Sequence, residues 1–100
     1  MKDRLVIISP EAKDDLLALY TWIAAAADPK TALGYIERIE TFCHGMRIAS
    51  ERGTRRDDIR PDLLIVTFER RVTIAFTLND ASIVILRIFY AGRSWEELIE

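Results

Sequence analysis

The chain has one cysteine and one histidine in 100 residues. A lone thiol, Cys43, excludes an intramolecular disulfide framework and any zinc site built from several cysteines. His44 is its immediate neighbour on a predicted helix, where adjacent side chains diverge by about 100°. The two do not face each other, which leaves nucleophilic triads and nitrogen- or sulfur-rich metal sites without their ligands. Cys43 falls on an apolar stripe and reads as a small buried hydrophobe, and a single thiol fits a reducing compartment. The four glycines, at 34, 45, 53 and 92, are scattered and form no phosphate-cradling loop. No apolar run approaches the ~20 residues of a membrane span. Lys2, Asp3 and Arg4 lead directly into folded-looking sequence, so the expected location is the cytoplasm, with no membrane partner. Lysine is absent beyond residue 30, so every later cation is a guanidinium. Fourteen basic residues against sixteen acidic ones give a net charge of −2. That balance argues against a protein that works mainly by neutralising phosphates.

An apolar share of 50% with 30% charged residues describes one globular domain, residues 1–100. Residues 5–8 are a short β-branched run, expected as a buried strand. Ser9-Pro10-Glu11 then supplies a capping hydroxyl, a proline where a missing N–H costs nothing, and an acid at the positive helix end. Ala12, Leu16, Leu19, Tyr20 and Ile23 share one helical face, so a first helix is predicted over 10–26. Asp28-Pro29 repeats the start signal. Ala32, Tyr35, Ile36, Ile39, Phe42, Cys43 and Met46 carry a second amphipathic helix to about residue 50. So short a connection makes the two an antiparallel hairpin. After Gly53 the period falls to two. Strands are predicted at 63–68, 71–78 and 83–90, joined by tight turns near Glu69-Arg70 and at Asn79-Asp80, with a weak strand near 54–58. In the last strand strict alternation separates Val84, Leu86, Ile88 and Tyr90 from Ile83, Ile85, Arg87 and Phe89. Ser94 caps a short final helical turn, with Glu97 at the reciprocal position. The predicted fold is α+β: an N-terminal strand, then an antiparallel helix hairpin packed on one face of a 3–4-stranded antiparallel sheet.

Charge is distributed unevenly. Residues 47–71 carry seven Arg against five acids, whereas the segments on either side are each −2. Such a run is most simply a salt-bridged surface loop. Asp14-Asp15, Asp57-Asp58 and Glu96-Glu97 are neighbours that diverge in a helix or strand, which suits solvation or capping better than acid–base catalysis. Trp22 and Trp95 fit their local apolar stripes poorly and are candidates either for partner contact or for burial at element ends. Arg87, Phe89, Tyr90, Arg93 and Trp95 gather guanidinium and aromatic groups at the last strand. That combination describes an interaction hot spot, a set able to stabilise phosphate charge during RNA cleavage, or an Arg87 paired to a sheet neighbour.

Several stretches together carry a family resemblance. They are Ser9-Pro10-Glu11-Ala12 with Asp15-Leu16 and Tyr20, Trp22 and Ile23; Asp28-Pro29 with Ala32, Tyr35 and Ile36; and Gly53-Thr54-Arg55-Arg56-Asp57-Asp58-Ile59-Arg60-Pro61. Arg71-Val72-Thr73-Ile74-Ala75-Phe76 and Ile85-Leu86-Arg87-Ile88-Phe89-Tyr90-Ala91-Gly92-Arg93-Ser94 complete the set. The sequence resembles the ParE branch of the ParE/RelE toxins of type II toxin–antitoxin systems. The resemblance implies a toxin that inhibits DNA gyrase and is neutralised by a ParD-like antitoxin. That antitoxin has a ribbon-helix-helix domain, through which alone the complex touches operator DNA. RelE-like relatives instead cut mRNA on the ribosome, with several Lys and Arg plus an aromatic or His at the last strand. This chain has no Lys beyond residue 30, so the expectation is a non-catalytic gyrase inhibitor without cofactor or metal. A ribosome-dependent mRNA endonuclease and a degenerate toxin acting only as co-repressor are the alternatives. The resemblance points to Arg87, Phe89, Tyr90, Arg93 and Trp95 for target binding. Antitoxin contact is expected on the outer hairpin face and sheet edge, at Tyr20, Trp22, Tyr35, Arg55 and Arg56.

Overall fold

A computed structural model describes residues 3–49 and 53–90. Strand β1 (Leu5–Ile8) is followed by helices α1 (Pro10–Ala26) and α2 (Pro29–Ala49). Strands β2 (Thr54–Arg55), β3 (Leu64–Phe68), β4 (Val72–Leu78) and β5 (Ser82–Tyr90) complete the described chain. The sequence-predicted C-terminal helical turn lies outside the described residues. No described helix is long and apolar enough to cross a membrane.

Local chemistry sets both helix starts. The Ser9 hydroxyl accepts from the Ala12 amide at 3.0 Å, with Pro10 in the first turn. The same hydroxyl donates to the Leu86 carbonyl at 2.9 Å, so the cap of α1 is also a tie to β5. Asp28 opens α2 by accepting from both the amide and the hydroxyl of Thr31, at 2.8 and 2.9 Å. That pairing, the backbone bond first, holds its carboxyl below the usual range.

The sheet order is β1-β5-β4-β3-β2. β1 runs parallel to β5, and the other neighbours are antiparallel. The sheet is therefore mixed and five-stranded, with the helix hairpin on one face. Two of the strand expectations need correction. β1 is not buried on both sides: Val6 and Ile8 pack into the main core, while Leu5 and Ile7 are 67% and 42% exposed. An edge strand with a layer on one face only can bury only alternate residues. Strict alternation in β5 also fails. Ala75 lies opposite Arg87 but Phe76 lies opposite Ile85, which leaves Leu86 as an extra residue. This bulge shifts the phase of the strand. Ile83, Ile85 and Ile88 all reach the helix-side core, with Tyr90 packed against it, while Phe89 and Leu86 join Leu63 and Ala75 in a second cluster.

The main core joins Ala12, Leu16 and Leu19 of α1 and Ile36, Ile39, Cys43 and Met46 of α2 to Val72, Ile74 and Phe76 of β4. The Phe76 ring presses on Gly53, where a Cβ would stand 2.7 Å from its Cζ, so only glycine fits there. The β3–β4 turn uses Glu69 and Arg70 at φ 50° and 63°, closed by the Arg71 amide on the Phe68 carbonyl at 3.2 Å. Positive φ at both central positions matches the twist of the flanking strands, even without glycine. The weak strand predicted near 54–58 is confined to Thr54 and Arg55, because the next residues form a stapled loop. Arg55 binds Asp57 and Asp62, each at 2.7 Å, and Arg56 grips Asp58 with two bonds of 3.0 Å.

Candidate functional site

β1 pairs with β5 only as far as Ile85, and α1 then crosses the edge of β5 that β1 leaves uncovered. Asp15 and Trp22 are seven residues apart, two turns, and so share the flank of α1 that faces this edge. The Asp15 carboxylate accepts from the Arg87 guanidinium at 2.8 and 2.9 Å and from the Ile88 amide at 2.9 Å. The side chains are 11% and 26% exposed, so the pair is mostly shielded from water. Asp15, expected to be solvated or capping, instead satisfies an edge amide that no strand reaches. Arg87 also lies 4.8 Å over the Phe89 ring, and its guanidinium is stabilised in the charged form, chiefly by Asp15.

Two turns on, the flank meets the end of β5. Strand register places Phe68, Val72 and Tyr90 in a row across β3, β4 and β5. Tyr35 and Phe42, seven residues apart on α2, lie above that row. Ring centroids are 5.3 Å apart for Trp22–Tyr90, 6.1 Å for Tyr35–Tyr90, 6.3 Å for Tyr35–Phe68 and 5.1 Å for Phe42–Phe68. The result is a continuous aromatic run from α1 to the β3–β4 turn. At its Trp22 end, Trp22, Ile23, Ala26, Tyr35, Arg38 and Tyr90 surround an open concavity of about 250 Å³. A second hollow, about 450 Å³, follows α2 past Arg38 to Phe42 and Phe68. Arg38 separates the two: it stands 4.9 Å over the Tyr35 ring and binds Glu69 through two bonds of 3.1 Å. The Glu69 carboxyl is accordingly held below its usual range. Burial pushes the Tyr35 hydroxyl pKa up, with Tyr90 and Glu69 adding to the shift. Its oxygen is buried and has no hydrogen-bond partner among the described residues.

The structure redistributes the candidates read from sequence. Of the described members of the target-binding set, Arg87 is paired to Asp15, Phe89 is only 2% exposed, and Tyr90 alone reaches the concavity. Arg93 and Trp95 lie outside the described residues. Of the antitoxin-binding set, Trp22 and Tyr35 meet Tyr90 in the concavity, and Tyr20 packs half-buried against the main core. Arg55 ends the far edge strand, β2, and Arg56 follows it directly, both occupied in stapling their own loop. Two residue sets expected to be separate thus share one surface through Tyr90.

Sequence reasoning missed Arg38, Phe68, Arg71 and the role of Asp15. The i, i+3 spacing of Tyr35 and Arg38 was available as a signal, whereas the contacts of Phe68 with the rings above it and of Arg71 with the Tyr90 hydroxyl depend on a hairpin register that no local pattern encodes. Burial pushes the Cys43 thiol up to about 12, so it carries no thiolate at neutral pH. His44 is exposed on α2. Among the described residues no group of three His, Cys, Asp or Glu side chains is placed to hold a metal ion. Exposed aromatic surface rimmed by guanidinium groups is suited to gripping a protein.

The comparisons with known proteins agree with this architecture. A family model described as the ParE toxin of type II toxin-antitoxin system, parDE, matches residues 6–95. No curated protein matches the chain. Among solved structures, a chain from one described as "Chromosomal ParDE TA system from P. aeruginosa" is similar, with a TM-score of 0.78 at 23% identity. The match covers 90% of this chain and 98% of that one. At that identity the likeness establishes a shared fold.

Proposed function

The chain belongs to the ParE toxin family of type II toxin–antitoxin systems, and from that premise we propose that it inhibits DNA gyrase by binding, without chemistry of its own. It acts in the cytoplasm and is held inactive by a ParD-like antitoxin whose ribbon-helix-helix domain alone contacts operator DNA.

One observation carries the choice of binding over RNA cleavage. Among the described residues Arg87, which sequence offered for a phosphate, is already neutralised by Asp15, and the basic stretch before β3 is neutralised likewise, Arg55 by Asp57 and Asp62 and Arg56 by Asp58. A ribonuclease must activate a 2′-hydroxyl and offset phosphate charge, and paired cations with a net charge of −2 serve neither purpose. A target-binding surface needs shape and exposed anchors. In this reading Tyr90 contacts the target together with Arg93 and Trp95 further along the chain, while Phe89, packed in the cluster on the other face of the sheet, and Arg87, paired with Asp15, fix the end of β5.

Two assays on the purified chain test the proposal: plasmid supercoiling by gyrase, and mRNA cleavage on programmed ribosomes. Inhibition of supercoiling with intact mRNA is expected. Cleavage without gyrase inhibition would establish the endonuclease instead, and activity in neither assay would leave a co-repressor.

A further inference from the structure

The two edges of the sheet differ in how they meet water. β2, at one edge, is two exposed residues long, one of them charged, and runs at once into the stapled loop. Short length and charge are common protections of an edge against pairing with another chain. β1, at the other edge, is four apolar residues, Leu5-Val6-Ile7-Ile8, without charge, proline or bulge. Its ladder with β5 fixes which backbone groups are spare. The Leu5 amide donates to the Ala81 carbonyl at 2.9 Å and the Ser9 amide to the Ile85 carbonyl at 3.0 Å. In a parallel pair alternate residues serve one neighbour, so Leu5 and Ile7 bond to β5 while the amides and carbonyls of Val6 and Ile8 point off the sheet. Among the described residues no backbone group meets them. The backbone of α2 meets this edge at its start, where the Arg4 amide donates to the Arg47 carbonyl at 2.7 Å. On the face away from the helices Leu5 is 67% and Ile7 42% exposed, and half-buried Val84 lies beside Ile7.

We infer that β1 is an interface between two copies of this chain, paired antiparallel about a two-fold axis at Val6 so that their sheets join into one. The arrangement is self-complementary, as a two-fold interface has to be. Val6 of each copy exchanges both backbone bonds with Val6 of the other, and Leu5 of each lies opposite Ile7 of the other on the outer face. Charge agrees with a second copy as the occupant. The strand sets no like charges opposite one another, and antiparallel pairing brings Arg47, beside the start of one strand, towards Glu11, just past the end of the other. An edge of four residues buries less than the ~1,200 Å² of a standard interface, so the dimer is weak, half-dissociated at concentrations on the order of tens of micromolar. β1 leaves β5 at Ile85, so the pairing lies away from Tyr90 at the far end of that strand and is compatible with target binding there.

Sedimentation of the full chain between about 1 μM and about 1 mM tests this, with a monomer–dimer equilibrium expected within that range. Leu5→Lys and Ile7→Lys should each weaken the dimer at least ~10-fold, because symmetry places each new charge in the interface twice. The free chain should keep its urea midpoint in both variants, since these side chains are already largely in water. Leu5→Lys combined with Ile7→Glu sets each new cation opposite the new carboxylate of the other copy. That double variant should recover dimerisation to within about threefold of the original chain and make it sensitive to salt. Leu33→Lys, at a comparably exposed leucine near the start of α2, away from the edge, should change nothing. A chain that stays monomeric at the highest concentration overturns the proposal, as does a dimer indifferent to Leu5→Lys and Ile7→Lys. Dimerisation lost in both single variants and not recovered in the double one overturns the antiparallel pairing at Val6. A monomeric chain whose complex with the antitoxin is lost in Leu5→Lys would assign the edge to the antitoxin instead.

Discussion

Asp15 shows how much one side chain can carry. Its carboxylate joins α1 to β5 by accepting from Arg87 and from the Ile88 amide, at 11% exposure. Arg87 was legible as the only charge in an apolar strand, but its partner was not, because the bulge at Leu86 and the crossing of α1 decide where the guanidinium ends. Truncating one member of a shielded pair strands the charge of the other, at a cost of about 3 kcal/mol. Arg87→Ala should therefore destabilise the fold by about that amount, and any loss of toxicity would be confounded with loss of folded protein. Asp15→Ala should cost at least as much, since the Ile88 amide also loses its acceptor. The double variant should cost clearly less than the sum of the two, as urea unfolding of all four proteins would reveal. Strictly additive losses would mean that the pair is not coupled.

At the scale of elements, both helices were readable because their signals are local. Ser9-Pro10 and Asp28-Pro29 mark the starts, and the 3.6-residue apolar period marks the faces. The strands were readable in existence but not in phase or environment. Leu5–Ile8 has the composition of a covered strand, yet it sits at the sheet edge with Leu5 and Ile7 in water. In β5 the bulge returns Ile88 and Tyr90 to the face of Ile83 and Ile85, which no alternation rule anticipates. Ser9 connects the two kinds of element, accepting within α1 and donating to β5. Ser9→Ala should cost about 1–2 kcal/mol, more than an isolated cap, because the Leu86 carbonyl loses its donor as well. Calorimetric or chemical unfolding would measure it, and a loss below ~0.5 kcal/mol would show that the tie to β5 contributes nothing.

At the scale of the whole molecule, several of the described surface charges lie in matched pairs. The carboxyls of Asp57, Asp58 and Glu69 are each held below the ordinary range, first by a hydrogen bond from Arg55, Arg56 and Arg38 respectively. A carboxyl whose pKa is lower in the folded than in the unfolded state stabilises the fold fully above its unfolded value, and that contribution disappears as pH falls through the folded one. Stability should thus be level from neutral pH down to about 5 and then decline through the carboxylate range. All three groups are exposed, so each contribution is small. Urea midpoints between pH 7 and 3 would check this, with Arg38→Gln expected to shallow the acid decline. A midpoint that rises on acidification would contradict it.

The helix hairpin and the run of strands behind it were legible in the chain itself, because capping, periodicity and turn chemistry all act within a few residues, and the family was legible through the resemblance of its short stretches. The chain also supplied the aromatic and guanidinium groups from which the candidate surface is made. Which of them meet is set by the folded arrangement. Tyr90 reaches Trp22 and Tyr35 through strand register, Arg87 is claimed by a helix 72 residues away in sequence, and Arg55 and Arg56 close on their own loop. Contacts across the sheet depend on register, bulge and crossing position, quantities fixed jointly by the whole core and by no single segment of the chain.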